Sequence, residues 1–170
     1  MLVDFVYGLP EFHRDVLVGA KYVTVTGCNA IVTALALWPL HRRGLVRETV
    51  VEVKVGSAEG GNKSSPASHH PERAGVVRSY APAGHRHEAE LIQELGLNPK
   101  NPRLYFSVTS VGIVRGALAT FHCLLDQPLD EKEVWQFFRE EYNEEPFVRI
   151  AQTKRGVNRY PDPKILSGSN

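Results

Sequence analysis

Two side-chain types in this chain can act as nucleophile and proton carrier near neutral pH: Cys28, one of two cysteines, and a cluster drawn from seven histidines. Cys28 follows Gly27 where a short strand-like pattern gives way to a helical one. A thiol in the first turn of a helix faces N–H groups without intrahelical acceptors and the positive end of the helix dipole. Both favour the thiolate, the reactive form. The competing reading is a buried cysteine packed in a tight turn, a common fate for this residue. Cys123 lies in the apolar run 121–125 and reads as a core or sheet residue. The segment Gly84-His85-Arg86-His87-Glu88-Ala89-Glu90 places two imidazoles around a guanidinium at a helix start. Alone it reads as a solvated basic turn. Paired with a nucleophilic thiol it offers a general acid/base and a cation for an anionic substrate.

Other patterns are weaker. His69, His70, His85 and His87 invite a metal reading, but adjacent histidines ligate one ion poorly and no C-x-x-C or H-E-x-x-H accompanies them, so no metal is expected. The run Gly56-Ser57-Ala58-Glu59-Gly60-Gly61-Asn62-Lys63-Ser64 approaches a phosphate loop, yet Asn62 separates the glycine pair from Lys63 and Glu59 would repel a phosphate. A Ser/Gly turn at a strand end can still present N–H groups to an anion, and a flexible surface loop is the equal alternative. No G-x-G-x-x-G occurs, so a dinucleotide site of the usual kind is not expected within the chain.

The elements that must position these groups follow from periodicity. Phe12, Val16 and Leu17 mark a short helix after a turn at Gly8 and Pro10, and 22–25 reads as a strand. Ile31, Val32, Leu35, Ala36, Leu37 and Leu40 form a helical stripe expected to stop near Pro39 and to be finished by His41, Arg42, Arg43 and Gly44, the cationic and glycine ending of a helix C-terminus. Alternation of Val51, Val53 and Val55 with Glu52 and Lys54 predicts a strand over 49–55 with one face on a core. It runs into residues 56–73, a Gly, Ser, Pro and His stretch in which no periodic element is expected. A loop of that length in a compact domain is usually functional or disordered. Val76 and Val77 resume strand character, 80–84 turns, and 88–95 is a helix ended by Gly96. Strands are predicted over 104–109, 117–125 and 147–150, with a helix over 130–142 opened by an Asp130/Glu133 capping box. The tail 156–170 has little periodicity.

The 170 residues balance 20 Lys+Arg against 19 Asp+Glu, with 42% hydrophobic residues, which describes one ordinary domain with no electrostatic footprint for nucleic acid. No apolar run spans a bilayer, so no membrane association is expected, and Asp4 stands where a signal peptide carries its basic region. Two cysteines suit a reducing, cytoplasmic setting.

In order and spacing, Val6-Tyr7-Gly8-Leu9-Pro10-Glu11, Gly27-Cys28-Asn29-Ala30, Gly56-Ser57, Tyr80 with Gly84-His85-Arg86-His87-Glu88-Ala89-Glu90, and Pro163-Lys164-Ile165-Leu166-Ser167-Gly168-Ser169-Asn170 resemble the N-acetyl-gamma-glutamyl-phosphate reductase family. Ser68-His69-His70-Pro71-Glu72-Arg73-Ala74-Gly75-Val76-Val77-Arg78 is most similar to the branch acting on aminoadipyl or glutamyl phosphates held on an amino-group carrier protein. The likeness covers nearly the whole chain. One departure is Val25-Thr26 before Gly27-Cys28, where the family commonly has Asn or Ser followed by Pro.

The resemblance implies an α+β fold with a mixed, largely antiparallel sheet and helices on one face, like the C-terminal domain of glyceraldehyde-3-phosphate dehydrogenase. Residues 1–170 would be the catalytic and dimerisation domain, with the NAD(P)-binding domain lying N-terminal to it and absent from this chain. It further implies an NADPH-dependent reduction of an acyl phosphate to an amino-acid semialdehyde in arginine or lysine biosynthesis, through a cysteine thioester. Cys28 matches the family nucleophile. His87 matches the acid/base that takes the thiol proton and later returns one to the oxyanion. Ser57, Tyr80, His85, Arg86 and Asn29 stand on the substrate side, and Gly27 on the cofactor side. The expected partners are a free or carrier-linked acyl phosphate, a small acidic carrier protein and a second copy of the chain. A non-catalytic homo-oligomerising α+β domain that binds such a carrier is the alternative.

Overall fold

The computed structural model describes residues 4–63, 65–151 and 160–168. The chain opens with strand β1 (Phe5–Tyr7), helix α1 (Pro10–Leu17) and strand β2 (Tyr22–Thr24), which pairs in parallel with β1 as a small separate ribbon. Helix α2 (Cys28–His41) and strand β3 (Val46–Val55) follow. A 3-10 turn (Ser57–Gly60) and the short helix α3 (His70–Arg73) lead to strand β4 (Val77–Ala81) and helix α4 (Glu88–Glu94). Strands β5 (Leu104–Val111) and β6 (Ala117–Leu125), helix α5 (Glu131–Tyr142) and a 3-10 turn (Pro163–Leu166) complete it.

The main sheet has the order β4-β5-β3-β6, with β3 and β5 parallel and the two outer pairings antiparallel. This is a mixed, largely antiparallel α+β fold. Strand alternation sorts the two faces. Val51, Val53, Phe106 and Val108 are buried with Ala30, Ala34 and Leu37 of α2 and Leu91 of α4 in one apolar core. The residues of opposite parity point away: Val50, Tyr105 and Leu124 are exposed on the other face. Burial of such aliphatic side chains stabilises by about 1.5–3 kcal/mol each, so this one-sided core dominates the fold.

Several elements depart from what periodicity predicts. Helix α2 passes through Pro39 and ends at His41, inside the cationic ending expected of it. Proline has no N–H to donate to the carbonyl four residues back, here Leu35. The Tyr142 hydroxyl of α5 donates to that carbonyl instead, so the helix continues with its acceptor satisfied. Residues 56–73 are not structureless, since they hold the 3-10 turn and α3. The expected strand over 147–150 does not form. After α5 the chain turns, with Glu145 N–H donating to Tyr142 O and Val148 N–H to Glu145 O, and Phe147 is left exposed. Residues 80 and 81 belong to β4 rather than to a turn. The Asp130/Glu133 capping box and the 117–125 strand form as predicted. Of the aperiodic tail, 156–159 and 169–170 lie outside the described residues. No helix among the described residues is long and apolar enough to cross a membrane.

Candidate active site

Two parallel strands, β3 and β5, end beside the N-terminus of α2, and the functional side chains converge there. A cavity of about 190 Å³ is lined by Cys28 and Asn29 from α2, Glu59 from the 3-10 turn, Arg73 from α3, Arg78 and Tyr80 from β4, Ser110 from β5, and His85, Arg86 and His87 from the turn before α4. Cys28 and His87, 59 positions apart in sequence, therefore face one space. Six of the residues expected at the site (Cys28, Asn29, Tyr80, His85, Arg86 and His87) line it. Ser57 does not. It is buried behind the wall, its hydroxyl 2.8 Å from His70 Nδ1, where it fastens the 3-10 turn to α3.

Gly27 lies directly beneath the His87 ring. A Cβ there would stand 2.5 Å from His87 Cδ2 and Nε2 and 2.7 Å from Glu90 Oε1, so only glycine admits the imidazole this close to the thiol-bearing turn. Its N–H donates to Glu90 Oε2 at 2.9 Å, and the same oxygen accepts the Tyr7 hydroxyl at 2.6 Å. Glu90 thus ties β1, the start of α2 and α4 together, with its other oxygen 4.0 Å from His87 Nε2.

His87 is buried, and its Nδ1 has no hydrogen-bond partner among the described residues. Burial holds its pKa below the usual imidazole value, with Glu90 opposing and Arg86 adding to the effect. A neutral ring at pH 7 can accept a proton. His85 Nδ1 accepts the His87 backbone N–H at 3.2 Å, and burial also lowers its pKa. The proton of neutral His85 therefore sits on Nε2, facing the Tyr80 hydroxyl 3.5 Å away.

The thiol behaves differently from the expectation drawn from its place at a helix N-terminus. The backbone amides of Cys28 and Asn29 do point at the sulfur and favour the thiolate. They are outweighed. Cys28 remains exposed to solvent, yet the atoms packed around its sulfur and the Glu59 carboxylate, which accepts the thiol proton across 3.2 Å, push its pKa up to about 11. Cys123 packs against the core on β6, with its thiol also pushed up by burial.

Three wall residues were not marked by sequence pattern. Arg73 is 3% exposed, donating to Val55 O at 2.7 Å and Gly56 O at 3.0 Å, while its Nε has no partner among the described residues. Glu59 is legible only as a charge hostile to phosphate, and Arg73 and Arg78 only as members of the 68–78 run that carries the branch likeness, without a role of their own. Nothing local distinguishes a buried, backbone-clamped Arg73 from a solvated one. With Arg86, these arginines set three guanidinium groups against the Glu59 carboxylate in the wall, a balance that favours an anionic ligand. Among the described residues no group of three His, Cys, Asp or Glu is arranged to hold a metal.

Residues 28–170 match the family model described as semialdehyde dehydrogenase, dimerisation domain. The chain is 43% identical over 171 residues to the LysW-L-2-aminoadipate 6-phosphate reductase of Deinococcus radiodurans, covering 99% of this chain and 48% of that protein. It is 49% identical over 173 residues to a Thermomicrobium roseum protein provisionally given the same name, covering 100% of this chain and 49% of that one. The chain thus spans about half the length of the curated relatives it matches. Aspartate semialdehyde dehydrogenase from Francisella tularensis shares the fold, with a TM-score of 0.68 at 14% identity over 98% of this chain and 59% of that one.

Proposed function

The chain belongs to the semialdehyde dehydrogenase dimerisation-domain family, and from that membership we propose that it is the thiol-bearing half of an acyl-phosphate reductase. In this reading the substrate is an aminoadipyl or glutamyl phosphate linked to a small acidic carrier protein, and the product is the corresponding semialdehyde on the route to lysine or arginine. The observation that carries it is the convergence of Cys28, neutral His87 and the Arg73, Arg78 and Arg86 guanidinium groups on one small cavity.

Each group has a chemical task. Cys28 Sγ attacks the acyl carbon and forms a thioester as phosphate departs. The first intrahelical bond of α2 runs from Ile31 N–H to Gly27 O, so the amides of the preceding turn are available to the oxyanion. Arg73, Arg78 and Arg86 hold the phosphate or a substrate carboxylate, and Tyr80, Asn29 and His85 shape the wall around it. His87 takes the Cys28 proton as the thioester forms, gives it to the oxyanion formed on reduction, and passes it back to the sulfur as the aldehyde leaves. A nicotinamide cofactor, NADPH in this reading, supplies the hydride when bound. A cavity of about 190 Å³ admits an acyl-phosphate head and the reacting edge of a cofactor, and the bulk of a dinucleotide requires a separate binding domain.

A second copy of the chain belongs to the same proposal. The sheet face opposite the helices presents Val50, Tyr105 and Leu124 to solvent, a surface suited to isologous pairing in a domain of this family. The deciding experiment assays the full-length reductase for semialdehyde formation from carrier-linked aminoadipyl and glutamyl phosphates. Cys28→Ser is expected to abolish turnover with either, and retained turnover would overturn the assignment.

A further inference from the structure

We propose that Glu59 is a substrate-reading residue: it restrains the Cys28 thiol while the site is empty, and it releases the thiol when the amide N–H of an N-acylated aminoacyl phosphate takes the thiol's place on its carboxylate. The inference deepens the acyl-phosphate reading and rests on it. The proton of the thiol still goes to His87, and Glu59 stays a carboxylate throughout, exchanging one donor for another.

Glu59 Oε2 accepts the Cys28 S–H across 3.2 Å, and Asn29 Oδ1 stands 3.7 Å from the same sulfur. His87 lies over the neighbouring Gly27, with its Nε2 4.0 Å from Glu90. The thiol is the hydrogen-bond partner of the Glu59 side chain. Arg73 attracts the carboxylate from further off, its guanidinium being engaged by Val55 O at 2.7 Å and Gly56 O at 3.0 Å. A thiol is a weak donor, so an N–H brought to the same oxygen forms the stronger bond and displaces it.

The wall sorts the polar groups of such a ligand. Among the described residues that line the cavity Glu59 is the one carboxylate, facing the guanidinium groups of Arg73, Arg78 and Arg86. Phosphate and a substrate carboxylate are drawn to the arginines and repelled by Glu59, which leaves Glu59 to the amide hydrogen. A donor bonded to Glu59 lies within about 6 Å of Sγ, close enough for one ligand to hold it while its acyl carbon meets the sulfur.

The turn that bears Glu59 is braced, so release is a change of side-chain partner rather than the opening of a loop. Ser57 N–H donates to Ile113 O and Ala58 N–H to Val114 O, both at 2.9 Å, and Ser57 is joined to His70. Gly56 and Gly60 have no room for a Cβ, with Val114 O at 2.6 Å and Ser68 Cβ at 2.4 Å from where one would stand. Around the sulfur, the amides of Cys28 and Asn29 favour the thiolate while Glu59 and the atoms packed nearby oppose it. The other groups facing this space are the three arginines, His85 and His87, both held neutral by burial, and the Tyr80 hydroxyl, raised by burial. Once Glu59 turns to the ligand, the balance at the sulfur shifts to the amides and its proton passes to His87. An empty site keeps the exposed Cys28 as the thiol, the less reactive form.

The test uses the chain with Cys123→Ser, so that Cys28 alone reports, and follows the ultraviolet absorbance of the thiolate against pH, with the chain carrying Cys28→Ser and Cys123→Ser as blank. Glu59→Gln should lower the titration midpoint by about one pH unit or more, a 10-fold gain in thiolate at pH 8. Two stable probes then differ only at the N–H: N-acetyl-2-aminoadipate and its ester isostere 2-acetoxyadipate. With native Glu59 the midpoint should lie about one unit lower with the amide than with the ester, and with Glu59→Gln the two should coincide. An unmoved midpoint in Glu59→Gln, or equal midpoints with the two probes in the native chain, would overturn the inference. Acetyl phosphate, which has no N–H, tests the underlying reading through mass labelling of Cys28 and release of inorganic phosphate, and Glu59→Gln should speed this acylation by about 10-fold. Acylation of both chains with unmoved midpoints removes the role of Glu59 alone. Acylation of neither removes the acyl-phosphate reading, and this inference with it.

Discussion

Replacing Gly27 by alanine tests whether the close approach of His87 to the thiol-bearing turn matters for chemistry. Gly27 has φ −71° and ψ 133°, which any L-residue adopts, so the substitution brings no backbone strain. The added methyl meets His87 Cδ2 and Nε2 at 2.5 Å and Glu90 Oε1 at 2.7 Å, whereas ordinary contact begins at 3.4 Å. The imidazole must therefore retreat by about 1 Å, a displacement that commonly costs about 10²-fold in rate when it misplaces a reacting group. The ring is buried and cannot swing freely into solvent, so overpacking should also destabilise the chain by about 1–3 kcal/mol. The assay is kcat of the full-length protein in the proposed reduction, with urea denaturation of the 170-residue chain read alongside. Gly44→Ala is the control. Gly44 has φ +65° with open space around it, so the variant loses about 1–2 kcal/mol through strain and keeps its turnover. Wild-type turnover in Gly27→Ala would refute the link between this contact and catalysis.

Two further outcomes follow from features away from the cavity. Tyr142→Phe removes the donor to the Leu35 carbonyl and should cost about 1–3 kcal/mol in urea denaturation. Adding Pro39→Ala should recover part of that loss, since position 39 then offers an N–H to the same carbonyl, and no recovery would disprove this account of how α2 passes its proline. The chain should sediment as a dimer at micromolar concentration and Tyr105→Asp as a monomer, because a carboxylate placed on the open sheet face is desolvated on pairing. A wild-type monomer would remove the pairing surface.

Much of the fold is legible in local pattern. The β6 limits, the α5 capping box and the Gly96 stop of α4 arise from alternation, side-chain capping and a left-handed glycine, all short-range effects. Local pattern fails where a distant residue supplies what a segment lacks. Proline 39 signals a helix end, and the Tyr142 hydroxyl, reaching from α5, removes the reason for one. Residues 147–150 have strand composition but, among the described residues, no neighbouring strand to pair with. The 56–73 stretch lacks periodicity because its order comes from Arg73, Ser57 and His70 holding it to the β3 end.

The candidate site divides along the same line. From residue order alone came Cys28 at a helix start, the His85-Arg86-His87 cluster and the likeness to a reductase family, because spacing along the chain records which elements carry chemical groups. Tertiary structure alone decided the state of the thiol. Glu59 lies 31 positions from Cys28 and its effect depends on a 3.2 Å contact that only folding creates. The helix N-terminus favours a thiolate, as its position in the sequence suggests. Partial desolvation and a facing carboxylate oppose it at closer range, and they prevail because Coulomb interactions strengthen as distance shortens.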